Sequence, residues 1–400
     1  MSKEIIQPRT RGFISLSSHP DGLKFLVKKQ IDKVNKTEIT NIKNVLVVGS
    51  SMGYGLASTI YSLYGLGANT LGVCYERPPL KAKTGSAGWY NSGELIKYAE
   101  SAGLNLNVVN GDAFNDNTKK SVIELLENTY GQIDLLIYSL ASPRRIDSNG
   151  ITWNSTLKPI GSDVSLKNIN LQSNTFETSS ISKATEEEIN ATTKVMGGED
   201  WDDWVTELSA HNLISENFKT VAFSYIGPKV TEQIYRTGTI GIAKKHLEST
   251  VKLINNKLNN SSTNSRAFIS VNKAIVTQAS SAIPGVPLYM SMLFKLMKQN
   301  NTNELAIDQI IRLFENKLLD TNAPIVDNNG FIRLDDYELE NTLQDTILKQ
   351  WDIMSADNFL DLIDFDQYKI DFHQIFGFNV NEIDYKQLVE TDPEYSINTL

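Results

Sequence analysis

The sequence predicts an α/β fold built on a doubly wound parallel sheet, and three observations support this prediction. First, short apolar runs without polar alternation, typical of strands buried on both faces, alternate four times with amphipathic helical patterns. Second, the first of these runs leads directly into a glycine-rich turn that is followed by a helical pattern. Third, 40% hydrophobic and 21% charged residues in a chain of 400 are typical of a folded globular protein. We therefore expect one domain over residues 1–400.

The first part of the chain supplies these alternations in order. Each helix is inferred from apolar residues that recur on one face, and each strand from a short run rich in β-branched residues. The predicted elements are a helix over residues 20–34, a strand over 45–48, a helix carrying Leu56, Ile60, Leu63 and Tyr64, a strand over 70–75, a helix near 92–102, a strand over 106–109, a helix carrying Val122, Leu125, Leu126 and Thr129, and a strand over 133–139. His19 comes just before the first helix, where we interpret it as a capping or packing residue rather than a ligand.

The composition changes after the fourth strand. From Asp147 to Ser182 the chain is rich in Ser, Thr and Asn with short alternating runs, which predicts a polar insertion containing a small hairpin. We expect the stretch 147–210 to form a subdomain that covers the substrate site. Residues 183–196 are predicted to be helical, and we interpret Trp201 and Trp204 as packing residues at a helix start rather than as substrate contacts.

The rest of the chain returns to alternating strands and helices. We expect a strand ending at Tyr225, a helix beginning near Thr239 with Leu247, Val251, Ile254 and Leu258 buried, a loop rich in Asn and Ser over 255–265, a strand over 267–271, a helix carrying Tyr289, Leu293 and Leu296, a helix carrying Ile307, Ile310, Ile311, Phe314 and Leu318, a strand over 331–334, and a helix carrying Leu339, Leu343 and Ile347. The stretch 300–400 is therefore predicted to be mainly helical and to support the core by packing.

A glycine-rich turn follows the strand over residues 45–48. Gly49, Gly53 and Gly55 let the backbone bend sharply and let a phosphate approach the main chain. The N–H groups at the start of the following helix supply donors and partial positive charge. Between a strand and a helix, this turn predicts a binding site for the pyrophosphate of a dinucleotide, as in a Rossmann-type sheet.

Acidic residues after the second and third strands suit the adenosine half of such a cofactor. Glu76 would accept hydrogen bonds from the ribose hydroxyls, which favours NAD(H). Arg77, Lys81 and Lys83 follow closely and would instead suit the 2′-phosphate of NADP(H), so the residues alone leave both cofactors open. Asp112 is expected at the adenine edge, with a helix-capping carboxylate as the alternative.

A tyrosine and a lysine in the second half of the chain suggest the chemistry. In many dinucleotide reductases a tyrosine donates a proton or hydrogen bond to a substrate carbonyl, while a lysine holds the ribose and favours the phenolate. Tyr235 and Lys244 suit these roles, although their spacing on one straight helix would turn them about 180° apart. Gly238 and Gly241 remove this difficulty if Tyr235 lies before or at a break in the helix and only Lys244 lies within it. The alternative is a packed tyrosine and a surface lysine.

Charge and composition argue against several other classes of protein. The net charge of −9 and the absence of a Lys/Arg cluster argue against a nucleic-acid partner. No apolar run is long enough to span a membrane, and the first residues lack the apolar core of a signal peptide, so we expect a cytoplasmic protein without a membrane partner. The single cysteine, Cys74, is interpreted as a small buried apolar residue, and four scattered histidines give no metal-binding spacing.

Several stretches, together with the Tyr-x8-Lys pair, resemble one known family over nearly the whole chain. They are Gly49-Ser-Ser-Met-Gly-Tyr-Gly-Leu-Ala-Ser, Ile137-Tyr-Ser-Leu-Ala-Ser-Pro-Arg, Val195-Met-Gly-Gly-Glu-Asp-Trp, Ser224-Tyr-Ile-Gly-Pro, Asn272-Lys-Ala-Ile-Val-Thr-Gln-Ala-Ser-Ser-Ala-Ile-Pro, Ile332-Arg-Leu-Asp-Asp-Tyr-Glu-Leu and Phe376-Gly-Phe. These stretches are similar to the FabV-type enoyl-ACP reductases and trans-2-enoyl-CoA reductases, which are distant relatives of the short-chain dehydrogenases enlarged by insertions. The resemblance implies a monomer that uses NADH.

The resemblance also implies roles for individual residues. Tyr235 is expected to be the proton donor, Lys244 its partner and a cofactor contact, and Tyr225 a substrate contact. The cofactor is expected to contact Gly49, Ser50, Ser51, Met52, Gly53, Tyr54, Tyr75, Glu76, Asp112, Ala113, Leu140, Ala141, Lys244, Ile275, Val276 and Thr277. Within this set, Tyr75 and Glu76 are expected to set the preference for NADH, and no metal is implied.

The implied reaction is the NADH-dependent reduction of the C2–C3 double bond of a trans-2-enoyl thioester. The acyl carrier is coenzyme A or acyl carrier protein, in fatty acid synthesis or in fermentative acyl-CoA reduction. One alternative is a short-chain-type ketone or 3-oxoacyl reductase, which would use the same tyrosine and lysine on a carbonyl but with a shorter spacing. The other is a non-catalytic NADH-sensing module, which would bind the cofactor without oxidising it.

Overall fold

The computed structural model describes residues 3–11, 14–39, 41–81, 83–140, 142–260, 264–319 and 324–400. The strands are β1 Lys3–Glu4, β2 Thr10–Arg11, β3 Ile14–Ser15, β4 Asn44–Val48, β5 Asn69–Cys74, β6 Leu106–Asn110, β7 Ile133–Tyr138, β8 Arg144–Ile146, β9 Thr152–Asn154, β10 Val164–Asn170, β11 Thr175–Ile181, β12 Ile214–Ser224, β13 Arg266–Val271, β14 Phe331–Arg333, β15 Val389–Glu390 and β16 Asn398–Thr399. The helices are α1 Pro20–Ile31, α2 Gly53–Tyr64, α3 Ala87–Ser101, α4 Asp116–Leu125, α5 Glu186–Met196, α6 Glu199–Ala210, α7 Thr239–Asn260, α8 Gln278–Ser281, α9 Val286–Gln299, α10 Ala306–Arg312, α11 Asn341–Ile353, α12 Phe359–Leu362 and α13 Phe365–Gln374. Short π-helical turns, Leu126–Tyr130 and Leu313–Leu318, continue α4 and α10.

Within the described part of the chain, eight strands form one parallel sheet at the centre of the molecule. Their order is β14-β13-β12-β7-β4-β5-β6-β16, and every neighbouring pair is parallel. From β4 the chain winds outward through β5 and β6, and then in the other direction through β7, β12, β13 and β14. The predicted doubly wound parallel sheet is therefore confirmed. Its winding reverses between β4 and β7, where such sheets bind ligands.

The central strands are buried on both faces, which explains their continuous apolar sequences. In β4, Val45 and Val47 belong to one buried cluster with apolar residues of α2 and α3. Leu46 and Val48 belong to a second cluster, which contains residues of α6 and α7. This division follows from the two-residue period of a strand, because successive side chains point to opposite faces. Helices therefore cover the sheet on both sides.

The predicted alternation up to residue 139 is present, with shifts at the ends of some elements. The largest of them is at α3, which begins at Ala87 rather than near Ser92. Gly88 in its first turn makes the sequence here resemble a loop. In the structure, Glu76 packs so closely on Gly88 that a Cβ at this position would lie 2.0 Å from Glu76 Oε1, so a glycine is required. Packing against Glu76 therefore outweighs the low helix propensity of glycine.

The Ser-, Thr- and Asn-rich stretch after β7 contains antiparallel hairpins. β8 pairs with β9, and β10 pairs with β11 along the full length of both strands. From β10, Leu166 and Ile169 extend into a buried apolar cluster that also contains Tyr235 and Tyr289. The predicted hairpin is present, and it packs against the part of the chain that carries the predicted catalytic tyrosine.

Three side chains that the sequence favours as packing or capping residues take those roles. Trp201 and Trp204 of α6 are fully buried against the sheet, and the Trp201 indole N–H donates to Thr220 Oγ1 at 2.8 Å. His19 caps α1, since its Nδ1 accepts from the Gly22 N–H at 3.2 Å. These interpretations are confirmed.

The stretch 300–400 contributes to the sheet as well as packing against it. β14 lies beside β13 at one edge of the sheet. β16 pairs with β6 at the other edge, with Asn398 opposite Val109 and Thr399 opposite Asn110. Both ends of the sheet are thus formed by the last quarter of the chain. In the described ranges, no helix combines the length and the apolar character needed to cross a membrane.

Candidate active site

The stretches predicted to bind cofactor or substrate follow strands of the central sheet at its carboxyl edge. Gly49 follows β4, Glu76 follows β5, Asp112 comes shortly after β6, Leu140 after β7, and Tyr225 follows β12. Because all of these strands are parallel neighbours, their carboxyl ends meet at one edge of the sheet. The fold therefore brings these predicted site residues to one side of the molecule.

The turn after β4 has a backbone that favours glycine. Gly49 and Gly53 have φ angles of +88° and +51°. A Cβ on Gly55 would lie 1.8 Å from the Gly49 carbonyl oxygen, and a Cβ on Gly49 would lie 2.4 Å from the Ser139 carbonyl oxygen. The helix cap, Met52, makes no side-chain hydrogen bond to α2, so a phosphate has access to the N–H groups of the first turn.

Other side chains of this turn form hydrogen bonds to β5, to Glu76 and to the stretch that follows β13. Ser50 Oγ donates to a backbone carbonyl of β5 at 3.2 Å. Ser51 Oγ donates to Glu76 Oε1 at 2.6 Å, and the Tyr54 hydroxyl donates to the Lys273 carbonyl oxygen at 2.5 Å. The turn is therefore held between the expected ribose site and the stretch that follows β13.

Glu76 is placed at the end of β5, as a ribose-binding carboxylate requires. Its second oxygen accepts from Ser86 Oγ at 2.5 Å. Burial raises the pKa of this carboxyl, and the Ser51 and Ser86 hydroxyls oppose the rise. The neighbouring Tyr75 is 78% exposed, so its ring is available to a ligand at the surface.

The residues after β6 and β7 lie along the same edge. Asp112 Oδ1 accepts a backbone N–H two residues further on at 3.0 Å, while Asn115 is the residue that caps α4. The alternative that Asp112 caps this helix is therefore wrong. Ala113 and Leu140 pack in the cluster on the α6 and α7 face of the sheet. Ala141 lies outside the described residues.

The stretch 275–277 lies beside the glycine turn. The only atom within 4 Å of a Cβ built on Gly53 would be Ile275 Cδ1, at 3.6 Å, among the described residues. Val276 is half-buried, and Thr277 caps the short helix α8 through a reciprocal pair of hydrogen bonds with Ser280. Ile275 therefore lies against the glycine turn, and Thr277 is fixed at the start of α8.

Tyr235 lies in a turn before α7, and Lys244 lies within that helix. The helix begins only at Thr239, which separates the two side chains as their spacing requires. Gly241 allows the turn to fold back onto the helix, because a Cβ there would lie 2.0 Å from the Arg236 carbonyl oxygen. The break between the tyrosine and the lysine is therefore present in the structure.

Tyr225 and Lys244 reach the same end of β12 as Tyr235. The rings of Tyr225 and Tyr235 meet edge to face, with centroids 4.9 Å apart and planes inclined at 77°. Lys244 Nζ donates to the Phe223 carbonyl oxygen at 3.2 Å, close to Tyr225 along the chain. The two tyrosine rings thus meet at the end of β12, and Lys244 is bonded to the backbone of the same strand end.

Burial shifts the pKa values of Tyr235 and Lys244 in opposite directions. It raises the pKa of Tyr235, with Arg236 opposing, and it lowers the pKa of Lys244 to about 8, with Glu248 opposing. The positive charge that lowers the pKa of Tyr235 here is that of Arg236, and the role of Lys244 in favouring the phenolate stays a prediction. Two hydrogen bonds of 2.8 and 3.0 Å hold Arg236 on Glu248. Tyr235 therefore carries its proton at neutral pH.

Glu338 is a residue of this group that sequence reasoning did not single out. It is fully buried, and Oε1 accepts from the hydroxyls of Tyr225 and Tyr289 at 2.8 and 2.7 Å. Oε2 accepts from the Ala274 N–H at 2.7 Å. A signal was present in the sequence, since the acid-rich residues 335–338 follow a short apolar strand and so come at the carboxyl edge of the sheet.

Cys74 is buried at the end of β5, as predicted. Burial raises the pKa of its thiol to about 12, so the thiolate that a nucleophile requires is absent at neutral pH. Over the described ranges, no group of three or more His, Cys, Asp and Glu side chains is placed to hold a metal ion.

Comparison with known proteins gives matches along most of the chain. The matching family models are the NAD(P)H binding domain of trans-2-enoyl-CoA reductase over residues 5–81, the trans-2-enoyl-CoA reductase catalytic region over 83–319, and the enoyl reductase FAD binding domain over 326–389. The chain is 46% identical over 384 residues to an enoyl-[acyl-carrier-protein] reductase [NADH] of Flavobacterium johnsoniae, covering 96% of each chain. It is 44% identical over 398 residues to an enzyme of the same name from Pseudomonas fluorescens, covering 99% of each.

Two solved structures of trans-2-enoyl-CoA reductases are similar to this chain in fold and in sequence. The trans-2-enoyl-CoA reductase of Clostridium acetobutylicum in complex with NADH has a TM-score of 0.93 and 40% identity, covering 97% of this chain and 98% of that one. The trans-2-enoyl-CoA reductase of Treponema denticola in complex with NAD has a TM-score of 0.92 and 41% identity, covering 98% and 100%.

The stretch 326–389 does not have the features of a flavin dinucleotide site, despite the description of the matching family model. Gly330 precedes β14 and Gly377 follows α13, so no glycine lies between a strand and a following helix in this stretch of the described chain. The described part of this stretch therefore has no glycine-rich phosphate-binding turn of the kind found at Gly49.

Proposed function

The chain belongs to the trans-2-enoyl-CoA reductase family, and we propose that Tyr235, Tyr225 and Lys244 form its reaction centre. The protein is an NADH-dependent oxidoreductase that reduces the C2–C3 double bond of trans-2-enoyl thioesters. The observation that supports the proposed centre is the meeting of the two tyrosine rings, 4.9 Å apart, at the strand end to which Lys244 is bonded.

The residues at the carboxyl edge fit NADH. The glycine turn offers backbone N–H groups to the pyrophosphate, and the carboxylate of Glu76 is suited to the ribose hydroxyls. A 2′-phosphate at the same place would meet the negative charge of Glu76, which favours NADH over NADPH. We propose that residues 275–277 face the nicotinamide end, and the other cofactor contacts that the resemblance implies stay predictions.

When bound, NADH supplies the hydride that adds to C3 of the enoyl thioester. Negative charge then develops on the thioester oxygen, and the protonated hydroxyl of Tyr235 donates to that oxygen. Lys244 remains charged below its pKa of about 8 and stabilises the same charge while it holds the ribose. A proton delivered to C2, for which Tyr235 is the proposed source, completes the saturated acyl thioester.

The apolar cluster around Tyr235 suits an acyl chain. Leu166 and Ile169 from the β10–β11 hairpin, together with Ile283 and Val286 before and in α9, belong to this cluster. Burial here excludes water, which strengthens the electrostatic interactions of Tyr235 with the developing charge. We therefore propose that the insertion covers the substrate.

The proposed substrates carry the enoyl group on coenzyme A or on acyl carrier protein. We would measure the rate of NADH oxidation with crotonyl-CoA, with a long-chain enoyl-CoA and with an enoyl-ACP. The three rates show which acyl carrier and which chain length the enzyme prefers. We expect oxidation with enoyl thioesters and formation of the saturated product, which mass spectrometry identifies. NADPH should give a kcat/KM lower by about tenfold or more, because of Glu76.

Acetoacetyl-CoA serves as the control substrate, because it has a ketone and no C2–C3 double bond in the enoyl position. NADH oxidation with acetoacetyl-CoA and none with crotonyl-CoA would contradict the proposal and favour a ketone reductase. Tight NADH binding without oxidation by either compound would also contradict it and indicate a sensing module.

A further inference from the structure

Glu338 connects the substrate side of the site to the stretch that follows β13. Its Oε1 accepts from the Tyr225 hydroxyl at 2.8 Å, and its Oε2 accepts from the Ala274 N–H at 2.7 Å. The neighbouring Lys273 carbonyl accepts from the Tyr54 hydroxyl of the pyrophosphate turn. One buried carboxylate thus fixes Tyr225 relative to the backbone that is proposed to face the cofactor.

The direction of the hydrogen bond at Tyr225 has a chemical consequence. A tyrosine hydroxyl has a single proton to donate, and Tyr225 donates it to Glu338. Only the lone pairs of this oxygen remain for the substrate side. The hydroxyl of Tyr235, in contrast, makes no hydrogen bond to any described residue, so its proton is available to a substrate oxygen.

We propose that Glu338 is a positioning residue that decides which of the two tyrosines donates to the substrate. By accepting the proton of Tyr225, Glu338 keeps Tyr225 from competing for the thioester oxygen and holds its ring edge-on to Tyr235. Tyr235 is then the donor, in the orientation set by the 77° contact between the rings. This inference rests on the proposed reaction centre and adds to it a residue that acts on the substrate through Tyr225.

The hydrogen-bond donors around Glu338 suit an ionised carboxylate, although burial acts against the charge. Three donors converge on its two oxygens, the hydroxyls of Tyr225 and Tyr289 and the Ala274 N–H, which is the arrangement an ionised carboxylate accepts. Burial raises the pKa of Glu338, and the Ala274 N–H and the positive charge of Lys273 oppose the rise. Lys273 is itself fully buried, with Nζ donating to the Ala274 carbonyl at 2.8 Å.

Glu338→Gln is the most direct test, because glutamine keeps the shape of the side chain and replaces one acceptor oxygen with an N–H donor. Either the Ala274 N–H or the tyrosine pair then loses its acceptor, and Tyr225 no longer has to donate inward. We expect kcat with crotonyl-CoA to fall by about tenfold or more. KM for crotonyl-CoA and the Kd of NADH should both stay within about threefold of the wild-type values.

A double-mutant cycle with Tyr225→Phe separates this role from a general structural one. If Glu338 acts through Tyr225, the Glu338→Gln change should cost no further kcat once the Tyr225 hydroxyl is absent. Equal fold-losses of kcat in the wild-type and Tyr225→Phe backgrounds would overturn the proposal. Wild-type kcat in the Glu338→Gln enzyme would overturn it as well.

Asp200→Asn provides a matched control. Asp200 is also a fully buried carboxylate that accepts a tyrosine hydroxyl, from Tyr138 at 3.0 Å, but it lies in the first turn of α6 with Lys119 as its cation. Its loss should lower the melting temperature without a tenfold loss of kcat. A fall in kcat equal to that of Glu338→Gln would overturn a specific role for Glu338.

Folding and function are tested separately in this design. If Glu338→Gln does not fold, Glu338→Asp keeps the charge and shortens the reach to Tyr225, and the same cycle with Tyr225→Phe gives the same two outcomes. The wild-type assay with crotonyl-CoA reports on the proposed function, whereas the cycle reports on Glu338. An active wild type with an additive cycle would therefore overturn only the role of Glu338.

Discussion

Lys244 of α7 is half-buried, and its titration falls within the pH range of a practical assay. Burial lowers the pKa of its ammonium group to about 8, so the positive charge is lost as the pH rises through that value. Because this charge stabilises the thioester oxygen in the proposed mechanism, kcat/KM for crotonyl-CoA should decline with a midpoint near pH 8. Steady-state rates from neutral to alkaline pH measure this decline.

Lys244→Arg is the control for this profile. A guanidinium stays protonated throughout the range, so whatever activity the variant retains should lack the alkaline decline. A wild-type kcat/KM that stays constant well above pH 8 would contradict the assigned role of Lys244.

The chemistry of individual residues was predictable from the sequence where a local motif carried it. The glycine turn, Glu76 and the Tyr235–Lys244 pair were each inferred from neighbouring residues. The protonation state of Tyr235 was not, because it depends on burial and on Arg236. Glu338 could not be assigned a partner either, since it is 113 positions from Tyr225 in the chain and only the fold brings the two side chains together.

At the scale of the element, the start of α7 determines the position of Tyr235, which lies in the turn before the helix. Glycine to alanine within a helix ordinarily stabilises it by about 1 kcal/mol. At Gly241 we expect the opposite, because the new Cβ would lie 2.0 Å from the Arg236 carbonyl oxygen and displace the turn that carries Tyr235. Gly241→Ala should lower both the melting temperature and kcat, the latter by about tenfold or more.

Ser249→Ala on the same helix is the matched control. The Ser249 hydroxyl is exposed, and among the described residues it bonds to the His246 carbonyl of its own helix alone, so its removal should leave both quantities near wild type. A Gly241→Ala enzyme with a raised melting temperature and normal kcat would show that the turn does not depend on this glycine.

Most elements were predictable because their hydrophobic period is local information. The exceptions have tertiary causes. α3 starts early because Gly88 packs on Glu76. The composition of the stretch 255–265 predicts a loop, whereas the apolar spacing places Leu258 on the preceding helix. The stretch is helical as far as Asn260, and Asn255 bonds both the N–H and the carbonyl of Ala267 in β13. Asn and Ser disfavour helices on average, and contacts with the sheet outweigh that preference here.

At the scale of the molecule, the last residues of the chain brace the cofactor side of the sheet. Thr399 of β16 pairs with Asn110 of β6, and the Asn110 side chain holds both the N–H and the carbonyl of Glu76 at 2.6 and 2.9 Å. The Tyr395 hydroxyl donates to Glu94 of α3 at 2.8 Å. The edge strand therefore supports Glu76 indirectly.

Deletion of residues 395–400 should weaken NADH binding more than it slows chemistry. We expect KM for NADH to rise by about threefold or more and the melting temperature to fall, with kcat at saturating NADH within about twofold of wild type. Ser396→Ala, an exposed change in the same segment, is the control for these measurements. A deletion that lowers kcat and leaves KM for NADH unchanged would contradict the bracing role.

The parallel sheet and its two helical layers were predictable as an architecture, because apolar strands that alternate with helices have few other ways to be buried. Of the two edge strands, β14 matches the strand predicted over 331–334, whereas β16 was not predictable, since it is two residues long and gives no periodic signal. The oligomeric state stays a prediction of a monomer, which light scattering tests against the mass of one chain.

The central claim is that Tyr235 donates the proton in the reduction of an enoyl thioester. The most direct measurement is kcat for NADH-dependent reduction of crotonyl-CoA by Tyr235→Phe, with the Kd of NADH measured by fluorescence titration on the same preparation. We expect a loss of kcat of roughly 10²–10⁴-fold with the Kd of NADH within about twofold of wild type. A Tyr235→Phe enzyme that binds NADH normally and keeps most of its turnover would contradict the claim.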